Sequence, residues 1–202
     1  MLYMFPLRKN NPKRTTQKKS SKYNLYKEAL SKDFFCCCGY CGAHHVYYGS
    51  GKSFHIDHFA PKSKFKHLEN EYSNLVYSCP TCNIAKSNDW CGSDENELIH
   101  NGIGYIEPCD IQYSEAFYRD SSGKIRYKQN NSAAKYMYDK LKFGLRRHEI
   151  FWLADYFYEL VPRISRKLQE TPENNPLHGE LKSLLLDVIE QMDKYRQLQR
   201  EL

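Results

Sequence analysis

The 202-residue sequence predicts an α+β protein, with a small strand-bearing core stapled by cysteines and a mainly helical C-terminal region. Three observations carry this. Two Cys-x-x-Cys pairs, Cys38–Cys41 and Cys79–Cys82, bracket a stretch of short strand-like runs. From residue 132 onward the apolar residues recur at helical spacing, with capping and stop residues at the ends. Hydrophobic content of 41% and charged content of 27% suit a globular chain, and no run of about 20 apolar residues offers a membrane span. Met1–Pro6 is too short an apolar stretch for a signal peptide, so the expected setting is the cytoplasm, with no membrane partner. The expected organisation is a basic flexible arm over 1–27, a core over 28–110, and a hairpin with helices over 111–202.

The net charge of +6 is local. Residues 1–27 hold Arg8, Lys9, Lys13, Arg14, Lys18, Lys19, Lys22 and Lys27 with no acid, and the remainder is slightly acidic. Such an arm is either a solvated tail or a strip that tracks phosphates.

Eight cysteines in a chain with no secretory signature point to metal or catalysis rather than disulfides. The two knuckles present four thiolates, a tetrahedral sulfur set that suits structural Zn²⁺ at Cys38, Cys41, Cys79 and Cys82. Cys36 or Cys37 could compete for the metal, His44 and His45 read as spectators, and Cys91 and Cys109 as small buried thiols. Gly49–Ser53 looks like the end of a phosphate-binding loop, but Val46 stands where its first glycine belongs. Flanked by Val46–Tyr48 and Ser53–Ile56, it reads instead as a hairpin tip. Pro80 then suits the first turn of a helix through Lys86, giving the order knuckle, strand, turn, strand, loop, knuckle, helix.

Asp57 and His58 at the strand end, with Asn83 on that helix, form a chemical set. A carboxylate and an amide oxygen are hard donors for Mg²⁺ or Mn²⁺, and an imidazole is a base near neutral pH. Together they outline metal-assisted phosphodiester hydrolysis. Lys86, one turn beyond Asn83, either reaches a phosphate or is solvated. The same two readings apply to Lys62, Lys64 and Lys66, while His55 either supports the site from its strand or is a spectator.

These motifs resemble the HNH (ββα-metal) endonuclease family in its four-cysteine form. The match runs Cys38-x-x-Cys41, Asp57-His58-x-x-Pro61-x-Ser63, Asn74-Leu75 and Cys79-x-x-Cys82-Asn83-x-x-Lys86, about a quarter of the chain. The resemblance implies a ββα-metal core, with His58 as general base and Asp57 and Asn83 as ligands of the catalytic metal. It makes Asn74 the residue that holds the loop. It also implies DNA as substrate, RNA being a further possibility, and products with 5′-phosphate and 3′-hydroxyl ends. Many members carry His at the position of Asn83, which bears on metal preference. Ile56–Phe59, Pro61–Ser63, the helix over Tyr23–Leu30 and Trp90 are also similar to small HNH subunits of bacterial anti-phage systems of the Septu type. That likeness implies an ATPase partner. The alternatives are a stand-alone restriction-type nuclease and a non-catalytic zinc module that binds nucleic acid.

Residues 92–112 read as loop, and Ala116–Arg119 and Lys124–Tyr127 as a hairpin around Asp120–Gly123. Ser132 is the expected N-cap of a helix over Ala133–Phe143 with Gly144 as stop. A helix over Arg147–Leu168, interrupted or kinked at Pro162, precedes a loop at Thr171–Pro176. The last helix carries Leu181, Leu185, Val188, Met192, Tyr195 and Leu202, a seam for core or for a partner.

Overall fold

A computed structural model of the chain describes residues 4–202, and the chain is α+β. It divides into two compact units, one running to Leu145 and one from Arg146 to Leu202. No helix among the described residues is long and apolar enough to cross a membrane.

The first unit is built round three small sheets among the described residues. Strand β1 (Phe5–Pro6) leads to helix α1 (Lys27–Asp33), which a 3₁₀ turn at Tyr23–Tyr26 introduces. Strands β2 (His55–His58) and β3 (Leu75–Ser78) pair antiparallel, with Asp57 opposite Val76 and His58 opposite Leu75. Helix α2 (Pro80–Lys86) follows β3 directly. Strands β4 (Ile99–His100) and β5 (Ile103–Gly104) form a minimal hairpin within the segment expected as loop, ahead of helix α3 (Ile111–Ala116). Strands β6 (Phe117–Arg119) and β7 (Ile125–Tyr127) form the expected hairpin, and β1 adds to its free edge as β1-β6-β7. Helix α4 (Ser132–Lys140) completes the unit.

The core alternates aliphatic and aromatic side chains: Leu30, Phe34, Leu75, Val76, Tyr77, Tyr105, Phe117, Ile125 and Met137 are all but inaccessible. Burying each of these large side chains stabilises the fold by roughly 1.5–3 kcal/mol before the entropy of ordering is subtracted.

Four expectations are corrected. First, the basic segment is not a free arm: β1 pairs with β6, Leu7 and Arg8 are buried, and Arg14 bonds to the Leu75 carbonyl (2.8 Å) and Glu107 (2.7 Å). The two arginines find backbone and carboxylate acceptors inside, which an all-cationic composition does not reveal. Second, the chain divides at 145 rather than at 110, because β6 is tied to β1 and buried Arg119 donates to the carbonyls of Leu7 (3.2 Å), Gly123 (2.8 Å) and Cys41 (2.9 Å). Third, there is no strand at Val46–Tyr48. That run is a 3₁₀ turn (His45–Tyr48), closed by Gly49 in the left-handed region (φ 80°), and β2 finds its partner beyond the polar loop in β3. Fourth, the N-cap of α4 is Asn131, whose side-chain oxygen accepts the Ala134 N–H at 2.9 Å. Asn caps as well as Ser, and here it stands one residue earlier. Cys91 and Cys109 are half-buried rather than fully buried.

The second unit is a helical pair, α5 (Arg146–Gln169) and α6 (Pro176–Gln199). α5 runs through Pro162; the Tyr158 carbonyl that loses its partner lies on an exposed turn where water can bond it. α6 begins at Pro176 behind an Asn175 cap. Its seam residues Leu181, Leu185, Met192 and Tyr195 are half-buried and Val188 is buried, with Tyr195 stacked on Phe157 of α5 (5.6 Å between centroids).

Candidate active site and metal centre

The four knuckle cysteines come together and are fully buried, with one sulfur from each within 4.8 Å of the others. The Cys41 and Cys79 sulfurs are 3.8 Å apart. That is about the edge of a tetrahedron with zinc–sulfur bonds of about 2.3 Å. Four thiols without disulfide partners, closed off from solvent, fit a structural zinc. The second knuckle also starts α2, since Cys79 Sγ accepts the Cys82 N–H at 3.4 Å in the capping position.

β2 carries Asp57 and His58 to the site at its C-terminal end, and both are buried. His58 Nε2 lies 2.9 Å from the Glu69 carbonyl oxygen. A carbonyl only accepts, so Nε2 carries the proton and the lone pair sits on Nδ1. Burial holds the imidazole below its ordinary pKa and the Lys62 ammonium adds to this, against the Glu69 carbonyl bond that favours the charged form. His58 is therefore neutral at pH 7. The Tyr23 ring meets it edge-on at 4.7 Å.

The loop that supplies Glu69 is fastened at both ends. Asn74 accepts the Ala60 N–H (2.8 Å) and donates to the carbonyls of Ala60 (2.9 Å) and Leu68 (3.4 Å). Lys62 and Lys66 pair with the Glu69 carboxylate at 3.1 and 2.5 Å, and Lys64 donates to the Trp90 carbonyl at 2.9 Å. The loop lysines thus brace the loop itself. His55 is exposed at the start of β2 and takes no part.

Asp57 is held on one oxygen. Its Oδ2 accepts the Tyr40 hydroxyl (2.5 Å) and lies 3.3 Å from Lys86 Nζ, while Oδ1 takes no hydrogen bond from the described residues. Burial raises the Asp57 pKa, and Lys86 and Tyr40 oppose that shift. Lys86 corrects both of its expected roles: it is fully buried, donates to the His58 carbonyl at 2.9 Å, and so neither meets solvent nor reaches a phosphate. Asn83, half-buried one turn before Lys86, shares the side of α2 that Lys86 uses to reach β2. Its side-chain amide makes no hydrogen bond to the described residues, so its oxygen is open to a cation. Oδ1 of Asp57 and the amide oxygen of Asn83 are hard donors of the kind Mg²⁺ and Mn²⁺ take.

Sequence reasoning missed Tyr40, Tyr23 and Arg119. Tyr40 lies inside the first knuckle, a position whose spacing says nothing of its side chain. Arg119 donates to the Cys41 carbonyl from a hairpin far along the chain.

No curated protein and no solved structure matches the chain. Residues 38–89 match the family model described as HNH endonuclease, which supports a nuclease-type function.

Proposed function

We propose that this protein is a metal-dependent endonuclease that hydrolyses DNA phosphodiester bonds, with His58 as general base. The observation that carries the reading is the His58 imidazole, neutral, with its Nε2–H fastened to the Glu69 carbonyl at 2.9 Å and its Nδ1 left to take a proton. His58 Nδ1 accepts the proton of the attacking water, and the Glu69 carbonyl keeps the ring oriented as it becomes charged. Asn74 holds the loop that carries this carbonyl. Asp57 and Asn83 would hold Mg²⁺ or Mn²⁺, which would offset charge on the phosphate and the leaving oxygen. Tyr40 and Lys86 keep the Asp57 carboxylate turned for that purpose.

The setting proposed is that of a nuclease effector in a bacterial anti-phage system, acting with an ATPase subunit; the support is the Ile56–Phe59 and Pro61–Ser63 likeness. Copurification with the products of neighbouring genes tests it against a stand-alone nuclease.

The deciding experiment is cleavage of plasmid, single-stranded DNA and RNA by wild type and His58→Ala, with Mg²⁺, Mn²⁺ or EDTA. DNA cutting that needs the metal and falls at least 100-fold in the variant, at unchanged fold, is the expected result. Undiminished cutting by His58→Ala sinks the base assignment, and a preference for RNA replaces the substrate.

A further inference from the structure

The four-cysteine site leaves Cys36, His44 and His45 unused. One ligand atom from each lies within 4.8 Å of the other two, and all three residues are half-buried. The backbone brings them together deliberately. Phe35 and Cys36 are consecutive non-glycine residues at positive φ (53° and 59°), so the chain reverses sharply before the knuckle. Cys37 then bridges His44 antiparallel, and the His45 N–H donates to the Cys36 carbonyl at 2.8 Å. This ladder sets the Cys36 side of the turn against the two histidines.

The side chains are also prepared. His45 Nδ1 is 2.9 Å from the Tyr77 hydroxyl, and a Cβ on Gly51 would stand 3.2 Å from the same nitrogen. That side of the ring is closed, which leaves Nε2 as the free nitrogen. A partner on the far nitrogen is the arrangement that orients histidines on metals. The His44 ring lies edge-on to His45 at 4.7 Å, and its Nδ1 accepts the Val46 N–H in a long 3.3 Å contact. Ser31 donates its hydroxyl to the Cys36 sulfur at 3.6 Å, which holds that side chain in place.

We propose that Cys36, His44 and His45 form a second zinc site, distinct from the four-cysteine centre. One thiolate and two imidazoles are a donor set that Zn²⁺ takes, with water in the fourth position. Binding forms one zinc–sulfur and two zinc–nitrogen bonds and releases the Cys36 thiol proton to solvent. The bound ion staples the turn at Phe35–Cys36 to the 3₁₀ segment His45–Tyr48 and, through Tyr77, to β3. None of this depends on the nuclease reading.

The test is zinc stoichiometry of the full chain, by titration with Zn²⁺ alone at micromolar free metal, with Co²⁺ as spectroscopic probe of the second equivalent. Wild type should take two zincs per chain; Cys36→Ser and His45→Gln should take one, with unchanged circular dichroism. The second Co²⁺ should show a thiolate charge-transfer band that Cys36→Ser abolishes. Tyr77→Phe, which keeps the core volume, should weaken the second equivalent about 10- to 100-fold and leave the first intact. If Cys36→Ser fails to fold, His45→Gln and Tyr77→Phe decide. A wild-type chain that stops at one zinc, or a folded Cys36→Ser or His45→Gln chain that still binds two, overturns the proposal.

Discussion

Lys86, Asp57 and Tyr40 form one electrostatic unit in the first half of the chain. Lys86 has no exposed surface, and a carboxylate 3.3 Å away and the His58 carbonyl at 2.9 Å stand where its water would be. Removing one partner strands the other charge in the core, which costs about 3–5 kcal/mol, whereas removing both leaves less behind. Lys86→Met should therefore lower the urea midpoint sharply, and adding Asp57→Asn to it should restore part of the loss. Equal losses in the single and double variants would dissociate Lys86 from Asp57. Gly39 is a second sensitive position, because a Cβ there would stand 2.6 Å from the Phe34 ring and 2.7 Å from Val76. Gly39→Ala should destabilise by about 1–3 kcal/mol through overpacking, read in the same denaturation assay.

Helix α2 shows what an element of seven residues needs in order to exist. So short a helix does not sustain itself in water. Pro80 pre-sets its first turn, Cys79 Sγ caps it, and Lys86 anchors its last turn to β2. Zinc at Cys79 and Cys82 would couple this helix to the first knuckle, making metal binding folding energy for the β2–β3–α2 unit. Chelation, or Cys79→Ser, should raise amide hydrogen exchange at Val76, Tyr77 and Asn83 to that of unstructured chain. Protection that survives complete loss of zinc would show that packing alone holds the unit. In α6 the seam is legible because its residues recur at helical spacing, and Tyr195 on Phe157 shows that it packs within its own unit.

Across the molecule the basic charge is sorted into two kinds. Arg8 and Arg14 are spent on carbonyls and Glu107, whereas Lys9, Lys13, Lys18, Lys19 and Lys22 stay exposed. Lys19 pairs with Glu71 at 3.4 Å but is 90% exposed, a pair of little consequence. On the proposed nuclease reading, these lysines would supply the sequence-blind part of the nucleic-acid contact. Replacing Lys18, Lys19 and Lys22 together by Gln should lower the slope of log affinity against log salt by about 3 on duplex DNA. A slope that does not change would put those lysines away from the nucleic acid.

Residue type and spacing alone determined the four-cysteine cluster, the β6–β7 hairpin and the two long helices. Each depends on neighbours close in the chain or on a donor chemistry few residue types share. The tertiary structure decided the rest. β2 pairs with β3 across a loop whose carbonyl at Glu69 orients His58, a contact between backbone and side chain that leaves no mark in residue type. Lys86 turned inward because a buried carboxylate awaited it, and the basic segment lay down because β6 offered an edge and the Gly39 carbonyl an acceptor. The partner in each case is distant in sequence, and whether a charge meets water or a buried counter-charge is settled only when the chain is packed.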